Sequence, residues 1–170
     1  PRWLKQSKET AAAIQKKLCR LKPGSKNYQE LVQKYRLLHE HIANQRRDFL
    51  HKESRRIANA WDAVCIRDDD LKVISEELGG IAVRDTGFGM FRELLRYKLE
   101  RQGKQLIEVN RFVPTTKVCS VCGAVNESLS PKVRRWVCPV CGAEHRRGQN
   151  AAVNIKAQGL VQCREAAEAS

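Results

Sequence analysis

The 170 residues predict an α/β chain that pairs a basic helical hairpin with a small metal-bound ribbon. Three observations carry this. Apolar residues recur at three-to-four spacing over the first sixty positions. Short β-favouring runs stand at Ala63–Ile66 and Gln105–Val109. Cys119-Ser120-Val121-Cys122 and Cys138-Pro139-Val140-Cys141 form two CxxC pairs, 15 residues apart. No run approaches the roughly 18 apolar residues of a membrane span, and no internal repeat stands out.

In chain order, residues 3–21 predict a helix with Trp3, Leu4, Ala11, Ile14, Leu18 and Leu21 near one face. Pro23-Gly24-Ser25 breaks it. A long helix follows over 27–61, capped by Ser25 or Asn27. Its stripe of Leu31, Tyr35, Leu38, Ile42 and Phe49 suits antiparallel packing. Ala63–Ile66 predicts a buried strand, and Asp68-Asp69-Asp70 then opens a loop, as a solvated turn rather than a metal cluster. Residues 75–83 are ambiguous, with Gly79-Gly80 marking a loop. Residues 90–102 predict an amphipathic helix carrying Phe91, Leu94, Leu95, Tyr97 and Leu99, ended by Gly103. Gln105–Val109 predicts a strand, 115–145 the ribbon, and 150–158 a final helix ended by Gly159. The tail from Leu160 is expected to fray.

The cysteine spacing carries the most chemistry. Cys119, Cys122, Cys138 and Cys141 spell a four-thiolate Zn²⁺ site, closed and therefore structural rather than catalytic. Gly123 and Gly142 follow the two knuckles, where glycine tolerates positive φ. A disulfide framework fits poorly: the chain is basic, has seven cysteines and opens without a signal peptide. Cys19, Cys65 and Cys163 have no CxxC partner, and Cys65 reads as a small core residue. His145 stands four residues after the last cysteine, as a substitute ligand only if one thiol faced away. His39, His41 and His51 belong on the long helix, at its surface or against phosphate. Trp136 either covers the ribbon core or stacks on a base.

Charge points to a polyanionic partner. The net charge is +13, and residues 1–60 hold 15 Lys or Arg against 5 Asp or Glu. Such a block is the footprint of a phosphate-binding surface, which gives affinity and register without sequence readout. A solvated helix face is the plainer alternative. The candidate contacts are Lys16, Lys17, Arg20, Lys22, Lys26, Arg46, Arg47 and Lys52 on the hairpin, and Lys117, Lys132, Arg134, Arg135 and Arg147 around the ribbon.

The run Glu144-His145-Arg146-Arg147-Gly148-Gln149-Asn150-Ala151-Ala152-Val153-Asn154-Ile155 resembles the TnpB-type RNA-guided nucleases of transposons, relatives of the type V CRISPR effectors. Further matches run in order. They are Pro1-Arg2-Trp3-Leu4, Pro23–Asn27, Ile42–Lys52, Gly87-Phe88-Gly89 with Leu95-Arg96-Tyr97-Lys98, and Phe112–Lys117. The resemblance implies a portion of an RNase H-like (RuvC) domain with an inserted helical hairpin and an inserted four-Cys zinc ribbon. It implies segments at 1–62 (basic hairpin), 63–114 (RuvC-like strands and helix), 115–145 (target nucleic-acid-binding ribbon) and 146–170 (final RuvC-like segment and tail).

Two departures qualify what it implies. The family pattern His-Asp-Arg-Asp has Arg146 at its first Asp and Gly148 at its second, catalytic Asp. Aligning the strand Val64-Cys65-Ile66 puts Arg67 at a metal-binding Glu. Two-metal hydrolysis needs carboxylates to hold both cations, so the site is expected to be degenerate, with Mg²⁺ not bound productively. A slip of one or two residues would instead offer Asp68 or Asp69. The first family Asp is expected before this chain begins, in a longer polypeptide. The resemblance thus implies a nuclease-dead, guide-RNA-directed protein that binds double-stranded target DNA and represses transcription, cytoplasmic and nucleoid-associated in a bacterium. An active RNA-guided endonuclease and a plain zinc-ribbon DNA-binding protein are the alternatives. Oligomeric state is not legible.

Overall fold

The computed structural model describes residues 7–70, 76 and 87–168. Trp3 and Leu4 of the expected first helix, the Pro1–Leu4 match, Leu71 and the Gly79-Gly80 loop lie outside these residues. The chain divides into two compact units, residues 1–60 with 71–98, and residues 61–70 with 99–170.

The first unit contains the hairpin. Helix α1 spans Lys8–Leu18 and α2 spans Lys26–Ala60. Between them Gly24 takes φ +84°, and the Ser25 hydroxyl accepts the Tyr28 N–H at 3.3 Å, capping α2. Ala11 is buried and Ile14 and Leu18 are half-buried, as their spacing predicts. Gln15 on α1 reaches the Tyr35 hydroxyl on α2 at 2.8 Å. At 35 residues α2 is about 52 Å long. Its inward stripe holds the expected Leu31, Tyr35, Leu38, Ile42 and Phe49, and continues through Leu50, Ser54 and Ala58.

Helix α3 spans Phe88–Glu100 and meets α2 at Ser54. Buried Lys98 reaches from α3 to α2, where its Nζ donates to the His51 carbonyl and the Ser54 hydroxyl, both at 2.7 Å. Burial first, and the Arg55 charge second, push the Lys98 ammonium below its ordinary pKa. Gly87 opens α3 at φ +67°, and a Cβ there would stand 2.8 Å from Leu50 Cδ1.

The second unit is built on a parallel pair of strands. β1, Ala63–Arg67, aligns with β2, Gln105–Val109, in a register that sets Cys65 beside Ile107 and Arg67 beside Val109. β1 runs one residue beyond the expected Ile66. α3 ends as expected at Gly103, φ +65°, where Lys104 N–H bonds the Leu99 carbonyl and Gly103 N–H the Glu100 carbonyl. A short antiparallel pair, β3 (Arg135–Val137) and β4 (Glu144–Arg146), sets Trp136 beside His145.

The last helix, α4, spans Arg147–Glu168 and packs on β1 and β2. This corrects the sequence reading at both ends. The helix begins before Asn150, and neither stops at Gly159 nor frays from Leu160. Gly159 is buried, and a Cβ there would meet Cys65 Sγ at 2.5 Å, Cys65 Cβ at 3.1 Å and Ile107 Cγ2 at 3.3 Å. The glycine is there for close helix–sheet approach, not for termination. Cys65 is the partly buried packing residue expected, and burial raises its thiol pKa.

Gly159→Ala is expected to destabilise the protein. Helix propensity favours alanine by about 1 kcal/mol, but overpacking costs about 1–3 kcal/mol, so the midpoint of denaturant unfolding falls. Adding Cys65→Ala, which removes the sulfur, recovers part of the loss.

Candidate metal centre and nucleic-acid surface

Two knuckles repeat one backbone pattern. In the first, Gly123 N–H bonds the Cys119 carbonyl at 2.9 Å and Cys119 N–H the Ala124 carbonyl at 2.8 Å. In the second, Gly142 N–H bonds the Cys138 carbonyl at 2.9 Å and Cys138 N–H the Ala143 carbonyl at 2.8 Å. Both glycines have positive φ, +78° and +73°. Each turn bends the chain so that its two thiols point the same way.

The four thiols converge. All Sγ atoms of Cys119, Cys122, Cys138 and Cys141 lie within 4.8 Å of one another. The Cys119–Cys141 and Cys122–Cys138 pairs are each 3.7 Å apart. A tetrahedron with Zn–S bonds of 2.3 Å has sulfur edges of about 3.8 Å. The quartet is of a size to hold one tetrahedral ion, and four thiol ligands leave no position open for substrate. Among the described residues no other group of three or more His, Cys, Asp or Glu side chains converges in this way.

The thiols are not equivalent. Backbone N–H groups of Cys141 and Val140 draw the Cys138 thiol down to about 6. The Ala124 N–H draws on Cys122, but hydrogen bonds with the thiols of Cys141, Cys119 and Cys138, together with desolvation, outweigh it and hold Cys122 up at about 12. At neutral pH one ligand is ready for a cation and another must surrender a proton.

The residues around the quartet fix it. His145 is buried, its Nε2 3.1 Å from Cys119 Sγ. It takes no thiol's place. With Cys119 ionised it donates a hydrogen bond to a ligand, the arrangement that orients metal-bound groups. Trp136 packs against His145 in a tilted pair, ring centroids 4.7 Å apart, and joins Leu129, Cys119 and Cys138 in the ribbon's small core, so of its two expected roles it takes the packing one.

Asn150 and Asn154, both in the run that carries the family resemblance but without an expected role, stand one turn apart on α4. Asn150 accepts the Ser120 N–H at 2.9 Å and donates to the Val118 carbonyl at 2.7 Å. Asn154 donates to the Thr115 and Val118 carbonyls, each at 2.8 Å. The two amides clamp the first knuckle to α4. Their i, i+4 spacing was the available signal; what they bind was not.

Arg67 ends β1, and its Nε lies 2.5 Å from Asp69 Oδ1, both side chains about one-third exposed (32% and 33%). Asp70 pairs with Arg111 at 3.1 Å. Asp68 N–H bonds the Val109 carbonyl at 2.8 Å, continuing the ladder. Gly148 sits in the first turn of α4, and a Cβ there would meet nothing within 4 Å.

The basic candidates fall into two groups. Lys16, Lys17, Arg20, Lys22, Lys26, Arg47 and Lys52 are exposed on the hairpin, and Lys52 pairs with Asp48 at 2.7 Å. Lys17 and Arg20 line a cleft of about 320 Å³ with Lys34. Arg46 is half-buried beside Gly87. Around the ribbon Lys132, Arg134 and Arg135 are exposed. Lys117 donates to the Glu127 carbonyl at 3.0 Å, and Arg147 to the Pro131 carbonyl. Arg135 and Arg146 flank a second cleft, about 540 Å³, floored by Trp136 and His145. No helix among the described residues is long and apolar enough to cross a membrane.

Comparison with known proteins gives a consistent picture. Residues 88–155 match the family described as "Cas12f1-like, TNB domain", and residues 1–74 the family described as "Probable transposase". A Streptomyces pristinaespiralis protein named "Putative RNA-guided DNA endonuclease" is 34% identical over 95% of this chain and 40% of its own length. "TnpB-like protein L79" of Acanthamoeba polyphaga mimivirus is 28% identical over 81% of this chain and 27% of its own length. The chain therefore spans less than half the length of these relatives. A solved Cas12f1–sgRNA–target DNA complex aligns with 89% of this chain and 41% of its own at TM-score 0.60. A CRISPR–Cas12f ternary complex aligns with 89% of this chain and 32% of its own at 0.62. At 20% identity each shows a shared fold.

Cys138→Ser is expected to abolish stoichiometric metal binding and unfold the ribbon, read by metal analysis and tryptophan fluorescence, because so small a core depends on its ion. Metal affinity is expected to rise with pH between 7 and 8, about tenfold per unit for each proton released, since Cys122 gives up its proton on binding. Asn150→Ala is expected to keep one metal per chain while lowering stability by about 1–3 kcal/mol, as the Ser120 N–H loses its acceptor and the Val118 carbonyl keeps only Asn154.

Proposed function

We propose a function for this chain from one premise: it belongs to the TnpB-type family. On that premise the chain is part of an RNA-guided DNA-binding protein whose RuvC-like, RNase H-fold nuclease site is degenerate and which represses transcription by occupying its target. The residue that carries this reading is Arg67. It puts a guanidinium at the end of β1, where the family carries a metal-binding Glu, and it holds Asp69, a candidate substitute ligand, in an ion pair. A cation at that place repels Mg²⁺, and Gly148 offers no ligand at the second position.

Binding survives loss of cleavage because the two rest on different parts. Base pairing with a guide reads the target, while protein contacts hold the backbone. The exposed lysines and arginines of α1 and α2 supply such contacts. The relatives' names and the nucleic acids in the solved complexes support RNA and DNA as partners. Zn²⁺ is the ion the quartet suits, in a structural role. The proposed location is the bacterial cytoplasm, on the nucleoid. The endonuclease alternative gains some support from the names of the relatives, but it requires Asp68 or Asp69 as a ligand, and the Arg67–Asp69 pair weighs against it.

The test is to purify the intact protein from its host and sequence the RNA that accompanies it. One defined RNA with a constant scaffold and a variable end matching a promoter is expected. Absence of any enriched RNA would overturn the proposal in favour of a plain zinc-ribbon DNA-binding protein. Where the longer polypeptide keeps the family's first Asp, the paired substitutions Arg67→Glu and Gly148→Asp are expected to give the intact ribonucleoprotein Mg²⁺-dependent cutting; at Gly148 the space for a side chain is free.

A further inference from the structure

Phe112 is out of place for a core residue. It is 84% exposed, the most exposed large hydrophobic side chain among the described residues. It is also held firmly. Its N–H bonds Asn110 Oδ1 at 2.9 Å, and the Val113 N–H bonds the Asn110 carbonyl at 3.1 Å. Pro114 follows and restricts the backbone of Val113. Asparagine thus closes a tight turn that projects the ring into solvent, rather than leaving it on a loose loop.

The surroundings of the ring are cationic. The Arg111 guanidinium carbon lies 5.7 Å from the Phe112 centroid, and the same guanidinium is fixed by Asp70 at 3.1 Å. The turn leaves β2 directly after Val109, the residue in register with Arg67. It therefore stands at the carboxyl ends of the two parallel strands, the edge at which open α/β sheets bind their ligands.

We propose that Phe112 is a stacking platform for an unpaired base of a single-stranded nucleic acid, with Arg111 beside it for the adjoining phosphate. A flat apolar face next to a guanidinium, on a chain of net charge +13, matches an unstacked base and its backbone. Bases in an intact duplex are already stacked on their neighbours and do not offer a free face. This rests on the chain's reading as a nucleic-acid-binding protein and adds a residue and a strand state to it.

The test uses the full zinc-loaded chain with a labelled 20-nucleotide oligo(dT) and, separately, a blunt duplex of equal length. Phe112→Ala is expected to weaken oligo(dT) binding about 5- to 160-fold, the range for losing one base–aromatic stack. Phe112→Trp is expected to restore it, and duplex binding, metal content and melting temperature to stay unchanged, since the ring supports no core. Wild-type-like oligo(dT) binding by Phe112→Ala, an equal loss on duplex, or failure of Phe112→Trp to rescue would each overturn the stacking role while leaving the proposed function standing. Failure of the wild-type chain to bind either nucleic acid would overturn both.

Discussion

The convergence of four thiolates is the constraint on which the second unit rests. The ribbon has almost no apolar core of its own: Leu129 and Trp136 with the buried cysteines Cys119 and Cys138. A cluster that small does not offset the conformational entropy of ordering some thirty residues. An ion bound by all four cysteines would supply what is missing, and its effect would continue beyond the ribbon. The first knuckle presents Ser120 N–H and the Thr115 and Val118 carbonyls to Asn150 and Asn154, which fix the start of α4. The same helix, eased by Gly159, packs on β1 and β2. Metal site, helix and sheet thus form one mechanical series.

That series also sets the geometry of the two positions on which the nuclease question turns. Gly148 is on the first turn of the helix the ribbon anchors, and Arg67 is the last residue of a strand the helix covers. Amide clamps and a buried histidine hydrogen bond hold the scaffold, and the two positions proposed as degenerate carry a guanidinium and a bare backbone.

Much of this was legible in the sequence where local chemistry dictates structure. The CxxC spacing located the four converging thiols because a knuckle is a local turn. The long helix, both central strands and the Gly103 stop followed from periodicity and backbone preference. The reading failed where tertiary packing overrode local preference. Gly159 looks like a stop signal by propensity, yet the approach of Cys65 and Ile107 makes it a packing residue. Ser54 and Ala58 did not register as core because smallness matters only once Lys98 and α3 are in place. Asn150 and Asn154 look like polar surface residues until the knuckle carbonyls they bind come into view. Trp136 could be settled only by its neighbours.

Whether Arg67 and Gly148 leave a working cation site separates a silent protein from a cutting one. The decisive measurement is cleavage of a guide-matched DNA duplex by the intact ribonucleoprotein across Mg²⁺ and Mn²⁺ concentrations, with binding followed on the same samples. Saturable, guide-dependent binding with the duplex left uncut is the predicted result. Metal-dependent cutting by the unmodified protein would contradict it and return the chain to the active endonucleases.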